Sequence, residues 1–129
     1  MKSNKKISMN DLIGYPEGSL GFHLGNFLFH NSYEPDPLPG KEDIHRLLIT
    51  KEVSTKEDIA IQFYLFGNGN TQLYTLLMML SGTLLFPFQI KYFFKKYRDG
   101  KNALRFYDIN YFRMLHLPLD RIKDTFLIR

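Results

Sequence analysis

The sequence contains no cysteine and no tryptophan. The absence of cysteine excludes disulfide bonds, thiolate metal sites and a cysteine nucleophile. Cysteine usage therefore gives no evidence of the redox compartment in which the protein works. The aromatic residues, 16% of the total, are therefore all Phe and Tyr. With 129 residues, 44% of them apolar, the chain is long enough for one domain with its own hydrophobic core.

Long apolar runs and strong charge clusters are also missing. The longest apolar run, residues 73–88, is interrupted by Ser81 and Pro87 and is shorter than the roughly 20 residues that a membrane-spanning helix needs. Residues 1–12 are mostly polar and lead into no signal-peptide core, so we expect a flexible tail and a cytoplasmic protein. The net charge of +4 is mild and not clustered, which predicts no nucleic-acid partner.

The motifs of several enzyme classes are absent as well. The sequence has no Gly-x-Ser-x-Gly elbow for a serine hydrolase. The glycines at 67 and 69 are not followed by the Lys-Ser/Thr of a phosphate-binding loop. His23, His30 and His116 lie far apart without ligand spacing, which indicates structural or solvent-facing roles.

The apolar residues recur instead at helical spacing, and no strand-like alternation or internal repeat persists. Ser19 can cap one helix, and Ser54 with Glu57 has the spacing of a capping box. We predict an all-α fold, an irregular bundle of about six helices, with residues 13–129 forming a single domain. The predicted helices cover residues 20–31, 41–49, 54–66, 71–85 and 88–98, followed by two short helices at 108–115 and 119–128.

The helix predicted over residues 71–85 has the strongest pattern, with Asn70 or Thr71 as its cap. Its leucines form one stripe and a second apolar set lies beside it, which predicts burial on most sides. The helix after Pro87 has an apolar face and a cationic one, and we expect Asp99-Gly100 to end it. This pattern is typical of a core helix whose cationic face is exposed to water, or of a helix lying on an anionic membrane surface. The cationic face comprises Lys91, Lys95, Lys96 and Arg98.

The helix predicted over residues 41–49 contains a candidate polar site. Glu42 and His45 have the Glu-x-x-His spacing found in helical carboxylate metal sites, so both should project to one side. A further carboxylate follows on the next helix, at Glu57 or Asp58. Lys41, however, is a cation without a lone pair and opposes a metal ion. We therefore expect no bound cofactor; zinc or magnesium would require Lys41 to be displaced.

Several separated segments resemble the coenzyme Q biosynthesis protein 4 family. Residues 16–21 read Pro-Glu-Gly-Ser-Leu-Gly, similar to the start of that family's first core helix. Pro35-Asp36 stands where the family places Pro-Asp before its motif helix. Residues 118–123 read Pro-Leu-Asp-Arg-Ile-Lys and resemble the family's closing helix. The order and spacing fit from about residue 13 to 128.

The resemblance implies an all-helical fold, a lipid or prenyl-quinone ligand, and action in or beside a quinone-synthesis complex at a membrane. The family's His-Asp-x-x-His motif, followed by a Glu, binds a metal for chemistry on the quinone head group. In this chain Lys41 replaces the first His and Glu42 replaces the Asp, while His45 and Glu57 match. If the apolar positions of the helix predicted over residues 54–66 are aligned with those of the family, Asp58 instead matches the family's Glu.

These observations predict a small protein that binds an isoprenoid, prenyl-quinone or other lipid between its helices, near quinone biosynthesis. One alternative is a non-catalytic scaffold that self-associates as a homodimer or docks onto a partner, such as another quinone-biosynthesis protein. A third is a metal-dependent enzyme; whether a reaction is catalysed stays open. Peripheral contact with a membrane is compatible with the first reading. The predicted lipid-binding walls are Phe63, Leu76, Leu77, Leu80 and Phe93, and the predicted polar end is Glu42, His45, Glu57 and Asp58.

Overall fold

The computed structural model describes residues 9–31 and 40–128, and in these residues the protein is all-α, as predicted. The described ranges contain no β-strand, only an isolated bridge between Ser19 and Pro118. Short 3₁₀ helices lie at Pro87–Gln89 and Tyr111–Arg113. The α-helices are α1 (Met9–Ile13), α2 (Leu20–Asn31), α3 (Lys41–Ile49), α4 (Thr55–Asn68), α5 (Leu73–Leu85), α6 (Ile90–Asn102) and α7 (Leu119–Thr125).

The chain groups into two compact units; the single domain over residues 13–129 stays a prediction. The first unit comprises Met1–Leu47 and Asn110–Ile122, and the second comprises Leu48–Ile109 and Lys123–Arg129. Two of the three boundaries along the chain therefore fall inside α3 and α7, and the third lies between Ile109 and Asn110.

In the first unit α1 packs against α2. Part of α1 falls in the segment predicted as a flexible tail, yet Leu12 is completely buried; residues 1–8 of that segment lie outside the described range. Gly25 of α2 makes room for α1, because a Cβ there would come within 3.0 Å of the Leu12 Cβ. The predicted cap at Ser19 is present, since its Oγ accepts a hydrogen bond from the Phe22 N–H (3.2 Å).

The start of α2 is held by the segment before α7. The N–H groups of Leu20 and Gly21 donate to the carbonyl oxygens of Leu117 and Leu115, both at 2.8 Å. The helix predicted over residues 108–115 is wrong, because Asn110 has an extended backbone (φ −84°, ψ 92°) and its side chain accepts a hydrogen bond from the Phe112 N–H (3.1 Å). Only the 3₁₀ turn at Tyr111–Arg113 forms there. The segments 16–21 and 118–123, which carry the sequence resemblance, are also hydrogen-bonded to each other, since the Leu119 N–H donates to the Gly18 carbonyl (2.9 Å).

Helices α3 and α7 differ in how well the sequence predicted their ends. α3 has the predicted bounds, and its first turn is closed by the Gly40 N–H, which donates to the Asp43 carboxylate (2.8 Å). α7 ends at Thr125 and not at Ile128, because Leu127 adopts a left-handed conformation (φ 58°) and the Ile128 N–H donates back to the Lys123 carbonyl. Residues 32–39, which include Pro35-Asp36, lie outside the described residues.

In the second unit α4 packs along α6 with almost no space between the backbones. A Cβ on Gly100 would collide with the Tyr64 carbonyl oxygen, and a Cβ on Gly67 with that of Tyr97. The prediction that Asp99-Gly100 ends the helix is therefore wrong: Gly100 is a packing glycine inside α6, which continues to Asn102. α4 ends at Asn68, two residues beyond the predicted end at 66, and Gly69 follows it with φ 122°, a conformation that favours glycine.

The core of this unit lies between α4 and α6. Ile59, Ala60, Phe63 and Phe93 are buried together, and the rings of Phe63 and Phe93 stack with centroids 5.0 Å apart. The buried Asn68 side chain closes the end of the core: its amide donates to the carbonyls of Gly100 and Leu104, both at 3.0 Å.

Helix α5 begins later than predicted and is buried much less. The Asn70 side chain accepts a hydrogen bond from the Gln72 N–H (3.0 Å), a local turn that delays the helix to Leu73. The prediction of burial on most sides is wrong, because only Thr75 and Gly82 are buried in this helix. These small residues face α4: a Cβ on Gly82 would collide with the Ile59 side chain.

Candidate functional site

The most prominent surface feature of the second unit is the solvent side of α5. Its leucines, predicted to be in the core, form a stripe that we call the apolar face of α5. Apolar surface of this kind, contiguous and exposed, marks an interaction site in soluble proteins. The exposed fractions are 71% for Leu73, 42% for Leu76, 52% for Leu77, 60% for Leu80 and 75% for Leu84.

The structure divides the five predicted lipid-binding residues into two sets. Phe63 and Phe93 lie in the interior of the unit, 5% and 0% exposed, with their rings stacked. Leu76, Leu77 and Leu80 belong to the exposed apolar face of α5. The two phenylalanines are thus brought together as core residues, whereas the three leucines are available to a ligand.

A partly buried polar cluster, here called the Glu57 cluster, consists of Thr50, Glu57 and Tyr92. The Glu57 side chain is only 3% exposed. Its Oε1 accepts a hydrogen bond from the Thr50 hydroxyl (2.7 Å), and the Tyr92 hydroxyl lies 2.8 Å from both carboxylate oxygens. Because a buried carboxylate is costly without donors, these two hydroxyl groups are what permit Glu57 to be inside.

The electrostatics of the Glu57 cluster keep Tyr92 protonated. Burial raises the pKa of the Tyr92 hydroxyl, and the hydrogen bond to Glu57 and the negative charge of that carboxylate raise it further. The Nζ atoms of Lys56 and Lys96 lie 4.6 and 5.7 Å from the centre of the Tyr92 ring, which brings positive charge to its faces.

The sequence pointed to Glu57 but gave no sign of its hydrogen-bond partners, Thr50 and Tyr92. Tyr92 lies on α6, far along the chain from Glu57, and no motif spacing links the two. Thr50 stands just beyond the end of α3 and carries no signal of its own. Of the two carboxylates left open as candidates, Glu57 is buried and Asp58 is half-buried.

The other residues of the candidate metal motif belong to the first unit. Lys41 and Glu42 are exposed, while His45, on the same helix, is 5% exposed. Glu42 and His45 therefore differ in environment despite their helical spacing. In the described part of the chain, no group of three or more His, Asp or Glu residues is arranged to hold a metal ion.

A cationic groove runs along the outer side of α6. It is open to solvent and is lined by Lys91, Phe94, Tyr97 and Arg98. The nearby Lys95 forms an ion pair with Asp99 at 3.1 Å. Neither Lys91 nor Arg98 forms an ion pair within residues 9–31 and 40–128, so both charges face solvent.

No single helix in the described ranges is both long and apolar enough to cross a membrane. The segments Leu73–Leu85 and Pro87–Asn102 reach the required length and composition only when taken together, and they are bent by 108° at the break between them.

Comparison with known proteins gives a fold relative. No protein-family model matches the sequence, and no curated protein does. A crystal structure of a protein from Nostoc punctiforme PCC 73102, provisionally assigned to ubiquinone biosynthesis, superposes with a TM-score of 0.75 at 16% sequence identity. The match covers 97% of this chain and 70% of that one. At this identity the likeness shows a shared helical fold.

Proposed function

We propose that this protein binds a prenyl-quinone or other isoprenoid lipid and acts in or near quinone biosynthesis. The observation that carries the proposal is the apolar face of α5. Leucines exposed by 42–75% along one side of a helix are costly in water, and a long apolar ligand would cover them. The shared fold with a protein provisionally assigned to ubiquinone biosynthesis supports the choice of ligand class.

The energetics of such a complex follow from the ligand's length. Each methylene removed from water contributes about 0.8 kcal/mol, so affinity should rise steeply with the number of isoprene units until the face is covered. Within the unit that contains this face, Glu57 and Asp58 stay the predicted polar end of the site. A structure with ligand bound would test that assignment.

The experiment uses prenyl alcohols of increasing chain length, with binding followed by native mass spectrometry and by the melting temperature of the full chain. We expect longer alcohols to bind more tightly and to raise the melting temperature. Leu77→Asp should weaken binding by roughly 30-fold, because it removes leucine surface and puts a charge into an apolar contact. Leu104→Asp is the matched control, since Leu104 is 51% exposed and Leu77 is 52% exposed.

Two results would count against the proposal. Affinity that does not change with chain length would exclude an apolar site of this kind. A stable dimer that Leu77→Asp dissociates, without any bound lipid, would instead favour the scaffold alternative, in which a second copy covers the apolar face of α5.

A further inference from the structure

The outer side of α6 alternates aromatic and cationic residues along a single helical face. Lys91, Phe94, Lys95 and Arg98 follow the i, i+3, i+4, i+7 spacing and are all exposed. Phe93 and Gly100, on the opposite side, are buried against the unit's core. The packing of α6 therefore keeps this face exposed to solvent.

Phe88 extends this face at the bend between α5 and α6. It lies in the 3₁₀ turn that follows α5, one helical turn before Lys91, and its side chain is 96% exposed. Leu84 and Leu85, at the end of α5, are also exposed. A bend of 108° with an almost fully exposed phenylalanine places apolar side chains where no part of this unit covers them.

The charge of this surface has one sign. α5 contains no charged residue, and the only acidic residue of α6, Asp99, is paired with Lys95. Lys91 and Arg98 line the same groove as Phe94. A matching surface must therefore be apolar at the tip and negative immediately beside it.

We propose that Phe88, Phe94, Lys91 and Arg98 form a surface that docks on an anionic phospholipid bilayer. Phe88 enters the boundary between head groups and acyl chains, and Lys91 and Arg98 bind lipid phosphates beside it. Phenylalanine side chains are buried favourably at that boundary, and Lys and Arg are attracted to anionic lipid head groups. Pairing of this surface with its own copy in a second molecule would instead bring like charges together.

The docking is independent of the proposed function, since it requires no isoprenoid. Each cation near an anionic surface strengthens binding about fivefold, so loss of both Lys91 and Arg98 should weaken it by roughly 25-fold. Loss of the Phe88 ring should weaken binding roughly tenfold. Because Phe88 and the two cations are exposed, these substitutions should leave the fold intact.

The test is co-sedimentation of the full chain with vesicles of phosphatidylcholine alone or mixed with phosphatidylglycerol, both free of isoprenoids. We expect binding to the mixed vesicles only, weakened when salt rises from about 0.1 M to about 1 M. The double variant Lys91→Gln/Arg98→Gln should lose binding, whereas Lys51→Gln/Arg113→Gln removes two exposed charges elsewhere and should retain it. Phe88→Ala should also lose binding, and Phe29→Ala, at another exposed phenylalanine, should not.

The proposal is overturned if the chain binds neither kind of vesicle, or binds both equally. It is also overturned if the two double variants bind alike. Failure of the prenyl-alcohol experiment with vesicle binding intact would leave the docking surface standing without the proposed ligand, so the two ideas can fail separately.

Discussion

Glu57 occupies the position where a capping box would return its carboxylate to the backbone of Ser54. Half of that motif forms, because the Glu57 N–H donates to the Ser54 Oγ at 3.1 Å. The carboxylate itself turns inward to the hydroxyls of Thr50 and Tyr92. The same residue therefore starts α4 through its backbone and links α4 to α6 through its side chain.

The contribution of this link can be measured with Tyr92→Phe. Loss of the hydroxyl removes a hydrogen bond to a buried carboxylate and leaves Glu57 with the Thr50 hydroxyl as its remaining side-chain donor in the described structure. We expect a loss of about 1.5–3 kcal/mol in the free energy of unfolding, measured by urea denaturation. Tyr74→Phe, at a 63% exposed tyrosine, should change stability little. Equal effects of the two substitutions would contradict the role given to Tyr92.

At the scale of the secondary-structure elements, the packing of the second unit depends on small residues. Gly100 lets α6 approach α4, and Gly82 with Thr75 lets α5 approach it, the Thr75 hydroxyl donating to the Gln62 side chain (3.2 Å). Met78 and Met79 lie on the same side of α5 and pack against the core, whereas the leucines lie on the other side and face outward. The apolar face of α5 is thus a consequence of how the helix packs.

This arrangement predicts an unusual order of mutational effects along α5. Gly82→Ala should destabilise the protein by about 1–3 kcal/mol, because its Cβ would enter the Ile59 side chain, although alanine normally favours a helix. Leu80→Ala should cost well under 1 kcal/mol, since Leu80 is 60% exposed. Both values can be obtained from thermal or urea unfolding. If Leu80→Ala proved the more harmful, the leucine stripe would belong to the core as the periodicity predicted.

At the scale of the whole molecule, the free energy of unfolding should fall as the pH rises into the alkaline range. Burial raises the pKa of Tyr64, and that of Tyr92, above the ordinary value of about 10. The folded state then holds these protons more tightly than the unfolded state does. The resulting stabilisation is complete below about pH 10 and is lost as the pH rises above it.

Tyr64→Phe tests this dependence without a large effect at neutral pH. The Tyr64 hydroxyl is buried and has no hydrogen-bond partner among the described residues, so its removal should be neutral or slightly stabilising at pH 7. Above pH 10 the variant should lose less stability than the wild type, as judged by urea unfolding across the pH range. A slope unaltered by Tyr64→Phe would show that this tyrosine does not contribute.

The sequence predicted only part of the candidate site. Glu57 stood out because a motif and a cap both pointed to it, but Thr50 and Tyr92 carry no local signal. A contact between α4 and α6 is visible only when the helices have packed. The roles of Gly69 and Gly100 also depend on how the helices pack. Gly69 ends α4 with φ 122°, whereas Gly100 lies within α6, where the absence of a Cβ allows close contact with α4.

The sequence by itself determined that the chain is helical and where α2, α3 and α4 begin, because periodicity, caps and turns act over a few residues. Only the tertiary structure decided which side of each helix is buried. Apolar periodicity shows that α5 has a leucine stripe, but burial depends on which side can approach a neighbour closely. In α5 that side is formed by Thr75, Met78, Met79 and Gly82, so the leucines are left at the surface.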